Sequence, residues 1–325
     1  IAEGGDTQAI IDIAKGYREK LGLKVVGITG STGKTSTKDL VSAFLSGKYK
    51  VFKTKGNFNN EIGLPLMVLQ LDSSIDVAVL EMGMSDFNEI HNLADCARPD
   101  IAMITNIGVS HIENLKTREN ILKAKMEITD FFNKDNVLIL NEEDDMLSTV
   151  SDKEYKIIKT GYNKGYDYYA SNIELTRETT SFDLNFNGKS HRINLPMVGK
   201  HNVLNALLAI AASFELGLTV EEMINGLKNM EATSMRLEFI DGDGIEIIND
   251  CYNASPDSMK AALDVLSSRD GRKIAILGTM RELGDEASNS HREVAKYAND
   301  KVDMLICSGE FIDDFKEGFE KEQIK

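Results

Sequence analysis

The chain has 325 residues, 42% of them apolar, and a formal net charge of −15. That length accommodates about two domains with real cores. The acidic balance disfavours nucleic acid or an anionic membrane as partner, yet leaves a nucleotide site open, since phosphate binding works through local donors.

The opening "IAEGGDTQAI" resembles neither a signal peptide nor a natural start and reads as a fragment boundary. "KVVGITGSTGKTST" follows. Val25, Val26 and Ile28 predict a buried strand over 24–29, Gly30 and Gly33 a tight loop, and Lys34 the start of a helix reaching Leu45. Loop amides and a helix N-terminus cradle an anion, Lys34 adds a point charge near the β- and γ-phosphates, and the Thr35 hydroxyl suits magnesium. The spacing is imperfect: the phosphate-loop pattern asks for glycine where Ile28 stands, and Gly27 lies one residue early. An ordinary strand–turn–helix is the competing reading.

Further strands are predicted at 49–53, 77–82, 101–106 and 137–140, with helices at 62–69, 88–95 and 118–132 between them. Apolar strands separated by helices predict a mostly parallel sheet, whose ligands sit at the carboxyl ends of the strands. Glu81 and His111 fall at or after such ends. Glu81 reads either as a strand-end charge or, beside a phosphate loop, as a magnesium ligand; His111 is an unusual magnesium ligand and could simply hydrogen-bond. In the helix over 118–132, Ile121, Lys125, Ile128 and Phe132 share one stripe, flanked by Ala124 and Phe131, with Lys123 opposite. An ammonium in an apolar face is paired, neutral, chemically used, or snorkels out at the edge.

From 166 to 195 polar and apolar residues alternate around a turn at Asn187-Gly188, predicting antiparallel strands. Helices follow at 202–216 and 220–228, and a domain boundary is placed at Ser234. Beyond it the α/β alternation restarts, with strands at 245–248, 273–277 and 304–307 and helices at 258–267, near 291–297 and at the end. The fold class is α/β: a phosphate-loop-type parallel sheet with an antiparallel addition over 1–234, then a partial Rossmann-like domain over 235–325. Cys96, Cys251 and Cys307 form no metal-like pair and fit reduced thiols in the cytoplasm. The apolar helix "NALLAIAASF" is too short to span a bilayer.

"TGSTGKTS", "EMG", "TNIGVSHIENL", "KAKMEI", "GKHNVLNALLA" and "NDCYNASPDSM" together resemble the ATP-dependent Mur ligases of peptidoglycan synthesis, over nearly the whole chain. "GNFNNEIGLP" and the Tyr-Asn-Ala-Ser-Pro-Asp run resemble the branch that joins D-alanyl-D-alanine to UDP-N-acetylmuramoyl-tripeptide. The resemblance implies a cytoplasmic, monomeric enzyme that phosphorylates a carboxylate with ATP and lets an amine displace the phosphate. It implies that Thr29, Gly30, Ser31, Thr32, Gly33, Lys34, Thr35 and Ser36 hold the phosphates. Asn202 and Asn205 would contact adenine, with helix capping as the plainer role of Asn202; Arg236 and Asp250 would meet phosphate and ribose. Thr35 and Glu81 would hold one magnesium, and His111 with a carbamylated Lys125 a second. Lys34, Glu81, His111 and Lys125 would be the catalytic set, and Asn59, Asn60, Tyr252 and Asn253 would face the substrates.

Three departures stand beside this. The family's N-terminal uridine-diphosphate-binding domain and the end of its C-terminal domain are missing, which implies an inactive fragment. Thr279 stands where the family usually has aspartate. A folylpolyglutamate or cyanophycin-type ligase shares the loop and the lysine but fits the Asn-Phe-Asn-Asn and Tyr-Asn-Ala-Ser runs poorly. A regulatory ATPase without ligase chemistry is the alternative of another class.

Overall fold

Strand β1 (Lys24–Thr29) is apolar on both faces, which demands a layer on each side, and the computed structural model supplies both. It describes residues 5–151, 153–231 and 235–324. With β2 (Val51–Lys53), β3 (Val77–Glu81), β4 (Ile101–Ile104), β5 (Val137–Asn141), β6 (Lys156–Gly161), β7 (Tyr168–Leu175), β8 (Thr180–Phe186) and β9 (Lys189–Leu195), β1 forms one nine-stranded sheet in the order β2-β3-β1-β4-β5-β6-β7-β8-β9. The pairs from β2 to β7 are parallel, and β7-β8-β9 are antiparallel.

On one face Val26, Ile28, Val79 and Met103 pack with Leu40 and Phe44 of the helix Lys34–Leu45 and Leu207 and Ile210 of the helix His201–Glu215. On the other, Val25, Leu80 and Ile104 pack with Ile90 and Leu93 of Glu89–Ala97 and Ile121 of Arg118–Met126. The helix Gly5–Leu21, which the sequence reading passed over, adds Ile11 and Ala14 to this layer. The far end of the helix Lys34–Leu45 is clamped. A Cβ on Gly47 would lie 1.9 Å from the Glu222 carbonyl, and one on Gly226 2.2 Å from that of Ala43, so the chains meet where neither position has room for a side chain.

The helix expected over 118–132 stops at Met126 and tightens into a 3-10 turn, Glu127–Thr129; the Thr129 hydroxyl donates to the Met126 carbonyl at 2.8 Å, taking up an end-of-helix acceptor. The expected strand from 49 begins only at Val51, and β6 is an addition to the predicted set. Ser234, where the boundary was placed, lies outside the described residues. Beyond it, β11 (Ile245–Asn249) pairs antiparallel with β10 (Glu238–Gly242) as a separate hairpin rather than restarting the parallel pattern. The strands β12 (Ile274–Leu277), β13 (Met304–Cys307) and β14 (Glu322–Ile324) form a parallel sheet. Leu263, Val294, Ala295 and Phe315, from three helices, cover one face of it; Ile276 on the other is 72% exposed. No helix among the described residues is long and apolar enough to cross a membrane.

Candidate functional site

The register Ile28↔Glu81 and Thr29↔Ile104 brings the loops after β1, β3 and β4 to one carboxyl edge of the sheet. Gly30 (φ 147°) takes the chain off β1 so close to β4 that a Cβ would sit 1.8 Å from Thr105 Oγ1. The loop is tied down by side chains. Asn106 accepts from the Thr32 amide (2.9 Å) and donates to the Thr32 hydroxyl (2.8 Å), and Ser31 Oγ accepts from the Gly108 amide (2.9 Å). Thr105 Oγ1 donates to the Thr32 carbonyl at 2.5 Å. Gly33 (φ 79°) then opens the helix Lys34–Leu45, whose first amides have no preceding carbonyl to bond.

Lys34 Nζ donates to the Gly30 carbonyl at 2.8 Å; burial lowers its pKa, with Glu81 opposing and Arg236 adding to the fall. Glu81, 3% exposed, accepts from Thr35 Oγ1 (3.0 Å) on one oxygen and from Asn59 Nδ2 (2.9 Å) on the other. Thr29 and Gly30 are buried beneath the loop and do not line the cleft. The Asn60 side chain accepts from the amides of Ile62 and Gly63 (3.2 and 2.8 Å), so it shapes the start of the helix Gly63–Val68.

Lys125 is 1% exposed. Burial holds its pKa well below the usual lysine range and Lys34 lowers it further. His111 (φ 65°) caps a short helical turn, and burial, then Lys125 and Lys34, push its pKa down to about 4. The two lysines and the histidine therefore share one electrostatic neighbourhood. Among the described residues no three His, Cys, Asp or Glu side chains cluster as a ready-made metal site. An oxygen site is a different matter. Thr35 with Glu81, completed by phosphates and water, suits magnesium, and a buried lysine amine beside His111 becomes a hard oxygen ligand only as a carbamate.

A cleft of about 460 Å³ separates this edge from the C-terminal unit. One wall is residues 31–36, Glu81 and Asn106; the floor is Met197, His201, Asn202 and Asn205; the facing wall is Arg236, Phe239, Asp250 and Asn253. Asn205 Nδ2 donates to Asn202 Oδ1 (3.1 Å), whose own amide donates to the Val198 carbonyl (2.9 Å). Arg236 stacks 4.3 Å over the half-exposed Tyr252 ring, and its Nε is a buried donor without a partner among the described residues. Asp250 accepts from the Leu237 amide at 3.1 Å, and burial raises its pKa. Met197, His201 and Phe239 were not singled out in the sequence, and only the tertiary fold shows that they face a cleft.

The sequence pattern of the Mur ligase middle domain matches residues 28–213, and that of the Mur ligase glutamate ligase domain matches 235–324. The chain belongs to the Mur ligase family. Mur ligases similar to it include the UDP-N-acetylmuramoyl-tripeptide–D-alanyl-D-alanine ligase of Bacillus subtilis, 43% identical over 97% of this chain and 70% of that protein. Among solved Mur ligase structures, MurF from Acinetobacter baumannii is 33% identical with a TM-score of 0.92, covering 96% of this chain and 70% of that one. MurF from Thermotoga maritima, solved in complex with ADP, is 28% identical with a TM-score of 0.89, covering 99% of this chain and 74% of that one. As a Mur ligase, the chain is an ATP-dependent amide ligase.

Proposed function

We propose that this chain carries the nucleotide- and metal-binding part of the ligase that joins D-alanyl-D-alanine to UDP-N-acetylmuramoyl-tripeptide in peptidoglycan synthesis, with residues 1–234 as the ATP-binding domain and 235–325 as the C-terminal domain. The observation that carries it is the tied phosphate loop with Thr35 on Glu81, facing Arg236 and Asp250 across one cleft.

The amides that open the helix Lys34–Leu45 hold the phosphates, and Lys34 leaves the Gly30 carbonyl to balance charge as the γ-phosphoryl group moves. Thr35 and Glu81 hold one magnesium, with Asn59 keeping the Glu81 carboxylate turned toward Thr35. His111 and carbamylated Lys125 hold a second; the neutral amine is the form that adds carbon dioxide. Magnesium, when bound, offsets the charge of the phosphates and of the carboxylate being phosphorylated. Asn202 and Asn205 meet adenine, and Arg236 and Asp250 meet phosphate and ribose. Of the substrate-facing set, Asn253 stands exposed at the cleft, Tyr252 stands exposed beside Arg236, and Asn59 acts through Glu81, while Asn60 acts through the loop it shapes. The acyl phosphate so formed is attacked by the dipeptide amine, and phosphate leaves.

The cleft brings together residues 31–36, Asn202, Asn205, Arg236 and Asp250, so ATP binding is expected of this chain; ligation is assigned to the whole protein, whose curated relatives are longer. The deciding assay follows phosphate release by the whole protein. Release that requires both the UDP-linked tripeptide and D-alanyl-D-alanine supports the reading, and release with neither present refutes it.

A further inference from the structure

The carboxylate that meets His111 comes from the C-terminal unit. Glu282 Oε2 lies against His111 Nδ1, a buried nitrogen with no other acceptor and no well-aligned hydrogen bond among the described residues. The placement is built rather than incidental. Glu282 is held in the left-handed region (φ 62°), and its carbonyl accepts from the Glu113 amide at 3.2 Å, two residues beyond His111. Gly284 lets the same loop press on Glu113, where a Cβ would lie 3.2 Å from Glu113 Cα. Behind the loop, the fully buried His291 accepts from the Met280 amide at 2.9 Å through Nε2, and its Nδ1 meets the Ala287 carbonyl at 2.6 Å. Phe311 stacks on its ring at 4.3 Å. A non-glycine residue stays in such a conformation only when its surroundings over-determine it.

An imidazole that ligates a metal through one nitrogen is oriented by what its other nitrogen bonds, and a carboxylate in that place fixes the tautomer. We propose that Glu282 is a positioning residue for His111: from the C-terminal unit it holds the proton on Nδ1 and leaves Nε2 to face a cation, so the second cation site is complete only when the two units are docked. This rests on the reading of His111 as a metal ligand.

The test uses the chain with Mn²⁺, bicarbonate and a non-hydrolysable ATP analogue, reading Mn²⁺ affinity by electron paramagnetic resonance and the His111 tautomer by imidazole ¹⁵N shifts. The chain has five histidines, and the His111→Ala spectrum assigns the resonance. Glu282→Ala should weaken the second Mn²⁺ roughly 10–100-fold, leave the first unchanged and mix the tautomers. Glu282→Gln, which keeps an acceptor oxygen, should retain the Nδ1–H form and lose less affinity. An unchanged tautomer in Glu282→Ala overturns the proposal, with or without a change in Mn²⁺ affinity, because Glu282 would then act through docking or not at all. If His111→Ala itself retains both ions, it is the ligand reading that fails.

Discussion

Replacing Lys125 with methionine should stabilise the fold while removing the second cation site. The lysine is 1% exposed and lies beside Ile121, Ala124 and Ile128, with no carboxylate among the described residues to offset its burial. A buried polar group without a compensating bond costs about 1–3 kcal/mol, and methionine fills nearly the same space with none of that cost. For a unit of this size roughly 2 kcal/mol raises the melting temperature by about 4–8 °C. The gain has a pH signature. In the folded state the amine loses its proton well below 10.5, whereas in the unfolded chain it holds it up to about 10.5. Between those values the unfolded state binds more protons, so wild-type stability rises with pH and the advantage of methionine shrinks toward pH 10. Scanning calorimetry of both proteins in carbon dioxide-free, metal-free buffer at pH 7, 8.5 and 10 measures the gap. A methionine variant that melts several degrees below wild type at pH 7, or a gap that does not narrow with pH, would refute the picture of a neutral, unpaired amine.

Gly30→Ala should cost roughly 3 kcal/mol or more, because the side chain would enter Thr105 Oγ1 from a backbone angle that alanine avoids; thermal melting reads it, with nucleotide binding lost in parallel. Thr35→Val removes the hydroxyl that Glu81 accepts at 3.0 Å, for a stability loss of about 1–3 kcal/mol. Titration calorimetry should show weaker binding of ATP with magnesium and nearly unchanged binding with the metal chelated; equal losses in both would argue against a metal role for the pair. Ile276→Lys, at a position 72% exposed, should move stability by no more than about 0.5 kcal/mol in chemical denaturation.

What was legible in the sequence follows from local physics. The strands from 24, 77, 101 and 137 are short, continuous apolar runs buried on both faces, and the tight loop and helix start after the first of them were legible in Gly30, Gly33 and Lys34. Lys125 stood out because a charge interrupts an apolar stripe. The helix Gly5–Leu21 was missed because only one narrow side of it is buried, around Ile11 and Ala14. The strand at 245 was legible but its antiparallel partner, Glu238–Gly242, was not, because a pattern within one strand is silent about which strand lies beside it. Glu282 was invisible for a related reason: nothing near it in sequence shows that His111 lies opposite, and its left-handed backbone follows from a contact between distant loops. Asn60 shows the reverse case, a polar residue in a suggestive run whose oxygen is used by its own chain.

The clamp at Gly47 and Gly226 bears on how the cleft can work. The helix behind the phosphate loop is gripped at its far end by carbonyls that sit where side chains would be, and at its near end by the ties from Asn106 and Thr105. That half of the cleft is an anvil, held at both ends of the helix. Travel between nucleotide states is then expected of the opposing jaw, the one that brings Arg236, Asp250 and Glu282. Residues added at either glycine would loosen the anvil, and the penalty would be felt at the phosphates, a full helix length away from the change.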